Sequence, residues 1–192
     1  MSTDEIPLRD APRPSDDGVR PMVVFLCTGN AARSVMAAAM LRARLGDDPV
    51  VSVASGGTHV LPGQPMSVRT RGALARHGLR DPFHRSHQLG PADVERASLI
   101  LAMEPDHVRW MRRMHPEGAS RTGSLRRVVR HLAPGGLGDL GPRVASMGLE
   151  RVDVETWEEV VDPGAGDQSA YDAAADEIAV LTERLLARLF HP

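Results

Sequence analysis

Cys27 is followed six positions later by Arg33, in the run Cys27-Thr28-Gly29-Asn30-Ala31-Ala32-Arg33, and Ser34 comes next. A thiol, a guanidinium and small residues at this spacing can do chemistry on an oxyanion. The apolar residues 22–26 just before Cys27 read as a buried strand. Residues 35–41 behind Ser34 hold strong helix formers, with no breaker until Gly46. Cys27 is therefore expected at a strand's end, in a small-residue loop that feeds a helix N-terminus. Such a loop aims several backbone N–H groups at one spot, with the helix dipole behind them. A thiol there is favoured as thiolate, and an arginine can fold back to grip two oxygens of a bound phosphate. The combination implies attack by sulfur on phosphorus.

Composition bounds what else is possible. The 192 residues suit one α/β domain with a full core, and with few aromatics Leu, Val, Ala and Met must fill it. All 23 basic residues are arginine, which excludes a Walker-type loop ending in Gly-Lys, a Schiff base and a pyridoxal attachment. That bias, with abundant Ala, Gly and Pro, implies a GC-rich bacterial genome. A single cysteine excludes an internal disulfide and a Cys-rich zinc site, and the histidines lack ligand spacing, so neither metal nor cofactor is expected. Net charge of −2 gives no case for nucleic-acid binding, and no run is long and apolar enough to span a membrane. The acidic, proline-containing opening is unlike a signal peptide, so a cytoplasmic protein is expected.

Residues 1–20 read as a disordered extension, and residues 21–192 as a single domain. Strands are expected over 22–27, 50–54 and 97–103, with Ser55-Gly56-Gly57 as a turn. Helices are expected over 34–45, 66–78 and 105–114, and Gly78 closes the second of these. Residues 124–132 read equally as a helix or as a fourth strand with a helix behind it. Ser169-x-x-Asp172 suggests a capping box for a last helix over 173–190, whose Ile178, Leu181, Leu185 and Leu189 share a face. The Gly-rich stretch 135–158 is expected to be a surface insertion. Strands alternating with helices predict a three-layer α/β/α sandwich with a four-stranded parallel sheet, order 2-1-3-4. Ligands of such sheets bind at the carboxyl ends of the strands, where Cys27 would lie.

With Asp162-Pro163 far downstream, Ser55-Gly56-Gly57-Thr58, Arg76-His77-Gly78-Leu79 and the stretch from Leu99 to Glu104, the chain resembles the low-molecular-weight protein tyrosine phosphatases. Related arsenate reductases share the loop. The resemblance covers about residues 22–115 and 160–190. It implies that Cys27 attacks phosphorus in line to form a phosphocysteine, while Arg33 stabilises the equatorial oxygens. Thr28, Gly29, Asn30, Ala31, Ala32, Arg33 and Ser34 would then form the phosphate-binding loop. Asp162 corresponds to the general acid that protonates the leaving group and then activates water. Ser34 would hydrogen-bond the sulfur, Ser55 would support Asn30, and His84, or His87 in its place, would join the same network. Asn30 suits a left-handed loop position.

Departures from the pattern bear on substrate. Ala32 replaces a frequent second cysteine, so a protective disulfide is absent. Gly164-Ala165 and His59-Val60-Leu61 stand where aromatic walls are usual, so phosphotyrosine preference follows from the likeness, not from visible stacking surface. The arginines at 109, 112, 113, 121, 126, 127 and 130 read better as a solvated face than as a substrate patch. The leading expectation is a phosphatase for phosphotyrosine in proteins or small aryl phosphates, a monomer or weak homodimer that binds no nucleic acid or membrane. The alternative is a single-cysteine arsenate reductase using an external low-molecular-weight thiol. A catalytically dead phosphate-binding module is disfavoured by the retained acid, and a DNA-binding regulator by charge.

Overall fold

Side chains alternate across an extended strand, and in β1 (Met22–Cys27) both sets are apolar. Val23 and Phe25 point into one buried cluster, Val24 and Leu26 into another. A strand of this kind needs helices on both faces. The first face packs against α1 (Arg33–Leu45), α2 (Val68–Arg76), α5 (Leu125–His131) and α7 (Gln168–Phe190). The second packs against α3 (Pro91–Arg96) and α4 (Pro105–Met114). β1 pairs in parallel with β2 (Ser52–Gly57) and β3 (Leu99–Ala102), and β3 pairs with β4 (Thr122–Ser124). The sheet order is β2-β1-β3-β4, the three-layer arrangement that the alternation of elements predicts. The structure, a computed structural model, describes residues 20–47 and 50–190. The expected N-terminal extension lies outside the described residues, except for Arg20.

The register places the site. Cys27 sits opposite Gly57, and Leu26 opposite Ala102, so the carboxyl ends of β2, β1 and β3 form one edge. Residues immediately beyond those ends are brought side by side from three distant parts of the chain.

Several local expectations are corrected. β2 runs to Gly57, so Ser55-Gly56-Gly57 is strand and not turn. Parallel pairing with Phe25, Leu26 and Cys27 outweighs the weak strand preference of glycine. The helix expected over 66–78 is shorter, starting behind the Ser67 cap, whose hydroxyl accepts from Thr70 N–H at 3.0 Å. Residues 124–132 resolve into the end of β4 and then α5, with Ser124 capping the helix at Arg127 N–H. The last helix begins at Gln168, because the Asp167 carboxylate accepts from Ala170 N–H and pre-empts the Ser169 box. The stretch 135–158, expected as a surface insertion, contains α6 (Leu140–Ser146), and its Leu140, Val144 and Leu149 lie in the main core. Helical spacing of these apolar residues is masked in the sequence by the surrounding glycines.

Candidate active site

The run from Cys27 to Ser34 curls from the end of β1 into α1. Asn30 is the one non-glycine residue among those described with positive φ, at 49°. An amide side chain tolerates this left-handed conformation, which turns the loop back on itself. The loop's carbonyls are drawn outward. Cys27 O and Thr28 O accept from the N–H groups of Thr58 and His59 at 3.0 Å, and Ala31 O accepts from Thr70 Oγ1 at 2.8 Å. Asn30 O accepts from His84 Nε2 at 2.9 Å, which fixes the proton of that ring on Nε2. Among the described residues the N–H groups of Gly29 to Arg33 have no acceptor, and no side chain caps α1. Outward carbonyls with uncommitted N–H groups make a nest suited to an anion.

Asn30 is fully buried and is the hub of the loop. Its Nδ2 donates to Ser34 Oγ and Ser55 Oγ, both at 3.0 Å, and its Oδ1 accepts from His87 N–H at 2.9 Å. Ser34 Oγ lies 2.9 Å from Cys27 Sγ. Since Ser34 Oγ already accepts from Asn30, its own hydrogen is placed to donate to the sulfur. Of the two histidines left open from sequence, His84 reaches the loop through its ring. His87 does so through its backbone, while its ring pairs with Asp93 outside.

Arg33 is 2 % exposed, and its guanidinium faces two carboxylates. Nη1 donates to Glu104 Oε2 at 2.5 Å and to Val160 O at 3.1 Å; Nη2 donates to Asp162 Oδ2 at 2.9 Å. Asp162 itself is 48 % exposed, and its Oδ1 accepts from Gly164 N–H at 3.0 Å. The segment bearing it is fixed from behind. Val160 N–H donates to Met103 O just past β3, and Tyr171 Oη donates to Gly164 O. Further back, buried Glu158 accepts from Ser124 Oγ, Glu155 N–H and Arg127. Burial opposes the charge of Glu158, but hydrogen bonds from Arg127, Ser124 and Glu155 outweigh it and hold the carboxyl below its usual range.

The fold thus gathers Cys27, Arg33, Ser34, Asn30, Ser55, His84 and Asp162, all singled out from sequence, at one edge of the sheet. Sequence reading gave no role to three more. Glu104 stands at the start of α4 and holds Arg33; its place one residue past Met103, at a strand end next to Cys27, is the signal that could have found it. His107, read as ordinary, is buried with Nε2 2.9 Å from Thr28 Oγ1. Burial, and then the charge of Arg33, lower its pKa to about 3. Gly57 is the third: a methyl there would lie 2.3 Å from Val60 Cγ2 and 2.5 Å from Thr28 O. Only glycine allows β2 to approach the loop so closely.

The model of the low molecular weight phosphotyrosine protein phosphatases matches residues 22–138, more than half of the chain. The chain belongs to this family. It is accordingly an enzyme of the low-molecular-weight protein tyrosine phosphatase class, and the fold is that of its relatives. Over 167 residues it is 31 % identical to a protein-arginine-phosphatase of Geobacillus stearothermophilus, covering 87 % of this chain and 95 % of the relative. It is 35 % identical over 156 residues to low molecular weight protein-tyrosine phosphatase A of Mycobacterium tuberculosis, covering 78 % and 80 %. The low molecular weight protein tyrosine phosphatase of T. tengcongensis superposes with a TM-score of 0.69 at 26 % identity, over 88 % of this chain and 99 % of that one. Among the described residues no helix is long and apolar enough to cross a membrane.

Proposed function

We propose that the chain hydrolyses phosphotyrosine in proteins through a phosphocysteine on Cys27. The observation that carries this reading is the placing of Cys27 Sγ, the uncommitted N–H groups of Gly29 to Arg33 and the Arg33 guanidinium around one spot, with Asp162 beside it. The phosphate oxygens take the loop N–H groups and displace the Asp162 carboxylate from Nη2 of Arg33, while Glu104 keeps hold of Nη1. The thiolate attacks phosphorus in line, and the phosphorus–oxygen bond to the tyrosine breaks as the sulfur–phosphorus bond forms. Asp162 gives its proton to the departing phenolate oxygen. In the second step Asp162 takes a proton from water, which attacks phosphorus and releases inorganic phosphate. The Ser34 hydroxyl supports the sulfur as it leaves. Arg33 and the loop N–H groups stabilise the charge on the equatorial oxygens in both steps.

A second substrate, phosphoarginine in proteins, is favoured by one feature of the site. Asp162, half-exposed beside Arg33, places a carboxylate where a leaving group would emerge, and a guanidinium leaving group is cationic where a phenolate is not. The name of the Geobacillus relative agrees with that chemistry.

The test is turnover of p-nitrophenyl phosphate in the presence of a chelator. Cys27→Ser abolishes turnover. Asp162→Asn lowers kcat by about 10²–10⁴-fold for poor leaving groups and less for good ones. Unchanged activity in the serine variant refutes the mechanism. Comparing kcat/KM on matched phosphotyrosine and phosphoarginine peptides decides between the two substrates.

A further inference from the structure

Both ends of the phosphate loop are tied to the start of α4, Arg33 by Glu104 and Thr28 by His107, and His107 has no part in the mechanism above. Glu104 is the N-cap of α4 and Pro105 opens the helix, which puts His107 one turn on, facing the same way as Glu104. His107 Nε2 lies 2.9 Å from Thr28 Oγ1 and 3.3 Å from Glu104 Oε1. Glu104 Oε2, the other oxygen of that carboxylate, accepts from Arg33 Nη1. The path Thr28–His107–Glu104–Arg33 therefore joins the residue after the nucleophile to the arginine at the far end of the loop.

We infer that His107 is a positioning residue of the phosphate loop, fixing Thr28 at one end and, through Glu104, the orientation of Arg33 at the other. The inference rests on the reading of this loop as a phosphate site. The tautomer follows from the partners. A carboxylate oxygen 3.3 Å from Nε2 favours a proton on that nitrogen, which then donates to Thr28 Oγ1, and Nδ1, buried with no partner among the described residues, is the bare nitrogen. The groups facing the ring are Arg33 of α1, Asp162, Glu104 and Asp106 of α4, and His59 beyond β2. Burial and the nearby Arg33 keep the ring neutral, so it stands beside the Glu104 carboxylate without competing with Arg33 for it as a second cation.

Without the ring, Thr28 loses its hydrogen-bond partner and Oε1 of Glu104 loses the polar group 3.3 Å away, so the carboxylate can rotate and the guanidinium loses the orientation it needs for two phosphate oxygens. The loss should appear in anion affinity and turnover rather than in stability alone. A glutamine at 107 carries an N–H group at comparable reach and supplies the missing donor; leucine fills similar space and supplies none.

The experiment uses the full chain, with inorganic phosphate as the probe, read as its inhibition constant against p-nitrophenyl phosphate and by direct calorimetry. His107→Leu weakens phosphate by about tenfold and lowers kcat, on the scale of one lost hydrogen bond. His107→Gln restores most of the affinity. In a Glu104→Gln background, His107→Leu costs far less, because the carboxylate it acted on is gone. If the leucine variant does not fold, Thr28→Val removes the other partner of the ring and should weaken phosphate in the same coupled way. Wild-type phosphate affinity in a folded His107→Leu protein, or independent and additive effects of positions 104 and 107, overturns the inference and leaves the phosphatase reading standing. Failure of the wild-type chain to bind phosphate overturns both.

Discussion

Replacing Asn30 by alanine tests how the loop is held in its anion-binding shape. The side chain is fully buried and makes three hydrogen bonds, two donated to the hydroxyls of Ser34 and Ser55 and one accepted from His87 N–H. At about 1 kcal/mol net for each, their loss costs about 3 kcal/mol. The residue also stands at φ 49°, where alanine pays about 1 kcal/mol more than a residue suited to the left-handed region. The expected loss is about 4 kcal/mol. For a domain of this size that lowers Tm by roughly 10 °C. Urea unfolding with an unchanged slope measures the loss directly. Asn30→Gly separates the two parts, since it relieves the backbone strain but restores no hydrogen bond. It should recover about 1 kcal/mol relative to alanine and still lack most of the activity. An alanine variant that loses less than about 1 kcal/mol, or a glycine variant no more stable than the alanine one, refutes the account of Asn30 as hub.

The other predictions concern the strand beside the loop and the buried histidine. Gly57→Ala places a methyl against Thr28 O and Asn30 N, so the loop backbone must move; kcat/KM should fall by about 10²-fold, measured on p-nitrophenyl phosphate. The buried His107 has a folded-state pKa of about 3 against 6.5 when unfolded, so between these values the unfolded chain binds a proton that the folded one refuses. Stability is therefore unaffected by this group above pH 6.5 and falls as pH drops toward 3, by at most about 1.4 kcal/mol per pH unit. Glu158, held below its usual range, acts in the same direction, its contribution being lost as pH falls through its folded pKa. Urea midpoints between pH 7.5 and 4.5 should decline in the wild type and decline less in His107→Gln. Equal slopes for the two proteins count against the burial argument.

What the sequence determined by itself is the local structure of one short run. Cys27 to Ser34 is contiguous, so its strand, loop and helix are set by neighbours along the chain, and Asn30 fits the left-handed turn it occupies. Apolar runs without alternation, such as 22–26 and 99–102, determined that the sheet is covered on both faces. Tertiary structure decided what lies beside the run. Glu104 is marked only by its place at a strand's end and His107 by nothing local, since a carboxylate and an imidazole at the start of a helix occur on many surfaces. They reach Arg33 and Thr28 because β3 pairs with β1 in a register that ends the two strands together. The same pairing made Ser55-Gly56-Gly57 a strand, against its local preference for a turn, and the core drew Leu140 and Val144 inward from a stretch that glycines make look exposed. Propensity acts over a few residues, whereas pairing and burial act between residues far apart in the chain. The proposed nucleophile was therefore legible from its own neighbours, and the groups that hold the arginine were not.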